Sequence, residues 1–185
     1  MIGVCGGALV SSRVVLSAHH CTRRIKGTDN SPCDHSGGER HAVLGTNKFN
    51  MRDWKKGKYS NSIPIIMVMV PPNGYLRKGN KDSHDFALLV LKHPVKITPE
   101  ISPICLPDMD AEFGGKNATA AGWGRTDTDS VNKKQSPVLK KVELTVSDKK
   151  YRHYKMFGTL VSKQDNMYQD PCSGDSGTVQ VLHYC

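Results

Sequence analysis

CGGALVSSRVVLSAHHC, residues 5–21, is a run of aliphatic and β-branched residues that ends with a histidine set against a cysteine. Val, Ile and Leu in such short runs fit a pleated, half-buried strand better than a helix. Comparable stretches recur along the chain: IPIIMVMV at 63–70, DFALLVL at 85–91, ATAAGWG at 118–124, VLKKVELTV at 138–146 and TVQVL at 178–182. Clusters of Pro, Gly, Asn and Asp separate them. No long pattern of period 3.6 competes, although 148–157 is compatible with a short helix. Many short strands with turn signals between them predict an all-β barrel or sandwich. Residues 22–41 and 125–137 are polar and turn-rich and read as surface loops.

The chain has 185 residues, enough for one domain or two small ones. Hydrophobic residues make up 37% and charged residues 23%, which places it in the globular class and outside the disordered one. Its net charge is +9, concentrated in KKYRHYK at 149–155 and in the lysine pairs 133–134 and 140–141. No nucleic-acid motif accompanies that charge, so no nucleic-acid partner is expected. No apolar run approaches the roughly 20 residues that cross a bilayer, and the best, 63–70, contains Pro64. No membrane partner is expected either. The opening MIGVCGGALV lacks the basic start and the cleavage site of a signal peptide.

Three stretches carry chemistry. The first ends on His19, His20 and Cys21. SHDFALLVL puts Asp85 ahead of a buried-strand run. CSGDSG, at 172–177, sets Ser176 among glycines beside Asp175. Each has an ordinary reading alone, as a strand-end histidine, a turn aspartate and a serine in a glycine turn. Together they supply what a serine nucleophile needs: a base to take its proton, and a carboxylate to orient that base and stabilise its cation. Their order along the chain is His, Asp, Ser, which is neither the subtilisin nor the α/β-hydrolase order.

CGGALV, VVLSAHHC, DFALLVL, ICLP, AAGWG and DPCSGDSG follow one another in an order that resembles a trypsin-like serine endopeptidase of the chymotrypsin family. The resemblance covers nearly the whole chain. It implies two β-barrels with the active site between them, the first over about 1–108 and the second, incomplete, over about 109–185. It also implies that the first strand or strands and the C-terminal strands and helix of the double barrel are missing. The Ile-Val-Gly-Gly-like start whose amino group would pair with Asp175 does not precede Cys5, and Gly-Pro does not follow GDSG.

The family pattern puts the base at His20, the orienting carboxylate at Asp85 and the nucleophile at Ser176. His19 stands where relatives usually carry a small residue, and remains the alternative base. The N–H groups of Gly174 and Ser176 would form the oxyanion hole. Asp170 falls where trypsin-like enzymes hold the carboxylate that receives a substrate Arg or Lys; its ordinary reading is a turn before Pro171.

The same resemblance pairs Cys5 with Cys21. It gives Cys172 a partner downstream of this chain and Cys105, in many relatives, a partner upstream of the catalytic domain. Tyr151 and Gly158 stand where a further bridge would lie, and the resemblance assigns no partner to Cys33 or Cys185. Cysteine use points to an oxidising, extracellular setting and a secreted protein. Asn117-Ala118-Thr119 is an N-glycosylation sequon. A rival metal site at Cys21, Cys33, His35 and His41 fits no common zinc spacing, so no metal and no cofactor are expected.

The expected function is hydrolysis of peptide bonds after Arg or Lys through an acyl-enzyme, with protein or peptide substrates and serpin-type or other protease inhibitors as partners. The alternative is a catalytically inactive homologue or fragment that acts as a binding module.

Overall fold

Two antiparallel sheets and a small ribbon make up the described part of the protein, which is a computed structural model. It describes residues 5–22, 40–71, 85–124, 136–150, 157–160, 162–164, 167–169 and 180–182.

The first sheet has the order β1-β2-β5-β4-β3, from β1 (Ala8–Ser11), β2 (Val14–Ser17), β3 (His41–Val43), β4 (Ser62–Met69) and β5 (Ala87–Leu91). In β2 burial alternates, Val15 and Ser17 inward, as one buried face requires. Leu9, Val15, Ile65, Val68, Ala87, Leu91, Val95 and Ile101 form its core. Leu91 and Val68 lose all contact with water, and each burial of this kind contributes about 1.5–3 kcal/mol. Arg13 fastens the β1–β2 turn to the end of β5. Its Nε donates to the Leu91 carbonyl at 2.9 Å, and its own carbonyl accepts from the Leu91 N–H at 2.9 Å.

The second sheet has the order β11-β6-β7-β8, from β6 (Asn117–Gly122), β7 (Lys140–Lys150), β8 (Phe157–Leu160) and β11 (Gln180–Leu182). In β6 the buried positions are Ala118, Ala120 and Gly122. These small inward residues pack with Leu144 and Val146 buried on β7, the strand beside them. β9 (Ser162–Gln164) and β10 (Met167–Gln169) pair as a ribbon.

The mostly β architecture agrees with the sequence. So do the strand assignments of 63–70, 85–91, 118–124, 138–146 and 178–182, within a few residues at each end. The short helix with which 148–157 is compatible by sequence is not found at the described residues of that span. Residues 148–150 continue β7, where Lys150 pairs with Phe157, the first residue of β8. The charged SDKK segment has no apolar alternation of its own, and cross-strand pairing decides its conformation.

Several elements have no counterpart in the sequence reading: the short strands β3, β8, β9 and β10, and α1 (Met51–Lys55), a single turn on the connection between β3 and β4. Asn50 caps it, its Oδ1 accepting from the Arg52 N–H at 2.8 Å. No helix of the described residues is long and apolar enough to cross a membrane.

Candidate active site

β2 and β5 pair in a register that sets Ser17 opposite Ala87. Beyond Ser17 the chain leaves the ladder and closes a 3-10 turn over His19–Cys21. Cys21 N–H donates to the Ala18 carbonyl at 3.1 Å, and Thr22 donates twice to the His19 carbonyl, through its N–H and its Oγ1, both at 2.8 Å. Thr22 is buried, so the turn is held from within. On the partner strand Asp85 stands two residues before Ala87.

The result brings His20 onto Asp85. The His20 backbone N–H donates to Asp85 Oδ1 at 2.8 Å, and His20 Nδ1 meets Asp85 Oδ2 at 2.7 Å. An ionised Asp85 only accepts, so Nδ1 carries the proton and Nε2 keeps its lone pair. The side chains of His20 and Asp85 are 37% and 29% exposed, which leaves the ring in reach of a bound molecule. The histidine ring on Asp85 is that of residue 20, and the His19 carbonyl is spent on the turn.

The backbone behind the turn is fixed by a disulfide between Cys5 and Cys21, with Cα atoms 6.3 Å apart. Ser17 Oγ donates to the Gly6 carbonyl at 2.8 Å. Gly7 has no room for a side chain: a Cβ there would lie 2.8 Å from Val15 Cγ1 and 3.1 Å from the Leu16 carbonyl. The segment that carries Cys5 therefore lies directly on β2.

Ser176, Gly174 and Asp170 lie outside the described residues, as do Cys33, His35, Cys172 and Cys185. Cys105 is disulfide-bonded. The ligand atoms of Cys5, His20 and Cys21 lie within 4.8 Å of one another. Both sulfurs are tied up in the disulfide, so neither is available as a thiolate ligand. Of the rival zinc set, Cys21 is bonded to Cys5 and His41 Nδ1 meets Ser62 Oγ at 3.1 Å.

The sequence reading passed over a brace on the far side of this sheet. Trp54 Nε1 donates to Ser62 Oγ at 3.0 Å, and the Trp54 and His41 rings meet edge to face at 5.6 Å. Asn50, just before the helical turn, was its available signal.

Residues 2–181 match the Trypsin family. Among curated proteins, CLIP domain-containing serine protease B10 of Anopheles gambiae is 31% identical over 189 residues, covering 94% of this chain and 49% of that protein. The chain spans about half the length of the first curated relatives it matches. Among solved structures, mouse neuropsin, a serine protease, has a TM-score of 0.68 at 21% identity, covering 97% of this chain and 72% of that one. A scabies mite inactivated protease paralogue has a TM-score of 0.70 at 20% identity, covering 97% and 71%. Sheet order, the His20–Asp85 pair and these likenesses agree: the chain belongs to the trypsin family of serine proteases.

Proposed function

We propose that this chain is the catalytic part of a secreted serine endopeptidase that cleaves after Arg or Lys. The observation that carries the reading is the double hold of Asp85 on His20, which turns ring Nδ1 onto the carboxylate and Nε2 away from it. In the reaction, His20 Nε2 takes the proton of Ser176 as its Oγ bonds to the substrate carbonyl carbon. The resulting oxyanion is received by the N–H groups of Gly174 and Ser176, where one donor is worth about 3–4 kcal/mol of transition-state stabilisation. His20 then gives the proton to the leaving amine as the peptide C–N bond breaks, and the acyl group stays on Ser176. Water, activated by the same Nε2, hydrolyses the ester. Asp170 receives the cationic side chain of the substrate. The chemistry needs no metal or cofactor.

In this reading residues of about 1–108 belong to the first barrel and about 109–185 to the second. The partners are protein substrates and protease inhibitors. Asn117 is exposed at the start of β6, which suits a glycan on its sequon.

A fluorophosphonate probe tests the proposal. It labels the chain and fails to label Ser176→Ala, and fluorogenic amides are then cut after Arg and Lys in preference to other residues. A folded chain that takes no label would instead be a non-catalytic homologue.

A further inference from the structure

Cys5, His20 and Cys21 bring three metal-ligand atoms together, all within 4.8 Å of one another. The imidazole is already oriented as a ligand: Asp85 Oδ2 holds Nδ1 at 2.7 Å, and Nε2 lies 3.6 Å from Cys21 Sγ. Histidines that bind metal characteristically give their other ring N–H to a carboxylate, which fixes the tautomer and makes the remaining nitrogen a better donor. In a tetrahedral zinc site with Zn–N of about 2.0 Å and Zn–S of about 2.3 Å, nitrogen and sulfur stand about 3.6 Å apart. His20 and Cys21 already keep that spacing.

What prevents coordination is the bond between the two sulfurs. Their backbones are held close without it. Ser17 Oγ donates to the Gly6 carbonyl at 2.8 Å, next to Cys5, and Cys21 N–H donates to the Ala18 carbonyl at 3.1 Å within the 3-10 turn. The Cα atoms of Cys5 and Cys21 are 6.3 Å apart. Once the bond is opened, the sulfurs need to part only to about 3.8 Å, the separation across a tetrahedral zinc ion, which side-chain rotation supplies. Cys5 is exposed, so an attacking thiolate has a route to it.

We propose that reduction of the Cys5–Cys21 disulfide turns this corner of the molecule into a binding site for Zn²⁺, with the two thiolates and His20 Nε2 as ligands. A dithiol supplies the electrons. Its thiolate attacks the Cys5 sulfur, the Cys5–Cys21 bond breaks, and the second thiol resolves the mixed disulfide. The reductant leaves as a cyclic disulfide, and its two protons pass to Cys5 and Cys21. Binding of Zn²⁺ then releases those two thiol protons. Two sulfurs and one imidazole leave the fourth tetrahedral position open. The ion occupies the lone pair that the proposed mechanism assigns to the base, so the reduced, zinc-loaded chain cannot take a proton from Ser176. That inhibition rests on the proteolytic reading; the metal site itself does not.

The full chain is reduced with dithiothreitol, freed of it by anaerobic gel filtration, and titrated with Co²⁺, a spectroscopic stand-in for Zn²⁺. A thiolate-to-cobalt charge-transfer band and the intense visible bands of a tetrahedral ion are expected, bleached by added Zn²⁺ and absent from the oxidised chain. Cys5→Ser with Cys21→Ser removes this site's share of the bands. Asp85→Asn weakens the affinity about 10–100-fold, and His20→Ala at least as far. Should the double serine variant not fold, His20→Ala, which keeps both cysteines, decides alone. Where a fluorophosphonate labels Ser176, Zn²⁺ at about ten times its Kd slows labelling of the reduced chain about tenfold and leaves the oxidised chain nearly unchanged. If nothing labels, the proteolytic reading fails and the cobalt spectra still decide the metal site. Bands indifferent to His20→Ala, or retained without Cys5 and Cys21, overturn the inference. So does equal slowing of the oxidised chain, or a reduced chain that loses its native circular dichroism and does not regain it with Zn²⁺.

Discussion

Asp85 holds His20 at two points, the backbone N–H on Oδ1 and the ring Nδ1 on Oδ2, so one carboxylate fixes both where the histidine sits and how its ring turns. Asp85→Asn keeps the shape of the carboxylate but puts an N–H where an acceptor is needed. A fall in kcat of about 10⁴ is expected with the melting temperature little changed, since the misplaced tautomer costs catalysis more than folding. Steady-state hydrolysis of an arginyl amide, beside a thermal melt, measures both.

Under the proposed mechanism His20→Ala is expected to abolish turnover and His19→Ala to leave it within a few-fold. The His19 contribution to the turn is its backbone carbonyl, which alanine retains. Loss of turnover in the His19 variant alone would move the base to that residue.

The Cys5–Cys21 bridge closes a loop with a sequence separation of 16. Replacing both cysteines by alanine is expected to cost about 3 kcal/mol by the chain-entropy estimate. Chemical denaturation reads the loss, and activity falls further than the folded fraction because Cys21 directly follows His20.

Gly45 and Gly57 separate backbone strain from crowding. Both have left-handed φ, +66° and +69°, but a Cβ at Gly45 would lie 2.8 Å from Ile101 Cγ1, whereas at Gly57 it meets nothing within 4 Å. Gly57→Ala should cost about 1 kcal/mol from conformation alone. Gly45→Ala should cost about 1–3 kcal/mol more, because a buried isoleucine must move. Equal losses in urea titrations would show that Ile101 yields freely.

Trp123 Nε1 is buried with no hydrogen-bond partner among the described residues. Trp123→Phe removes that unpaired donor and keeps an aromatic ring, so the stability change should stay within about 1 kcal/mol. Leu91→Ala, which opens a hole in a fully buried position, should cost about 2–5 kcal/mol.

How much of this was legible before any coordinates depends on where each element draws its stability. β2 and β5 are central strands rich in Val and Leu, and their runs announce them. Asp85 and the histidine pair were equally visible, but only the 3-10 turn shows which ring meets the carboxylate. α1 is one turn long, too short for any periodicity, and rests on a cap and a tryptophan anchored across the chain. Residues 148–150 are compatible with a helix because nothing local opposes one there; the neighbouring strand does.

The register of β2 on β5 has a further meaning as a length standard. From the Ser17–Ala87 pair, His20 lies three residues along one strand's exit and Asp85 two residues along the other's entry. Those tethers carry no slack. An inserted or deleted residue in either would leave every strand in place and part the two side chains. Between the sheet and this pair, change in chain length is therefore far less tolerable than change in side chain. A variant of this protein that still folds after such a change would be a trypsin-family shell whose histidine has lost its carboxylate.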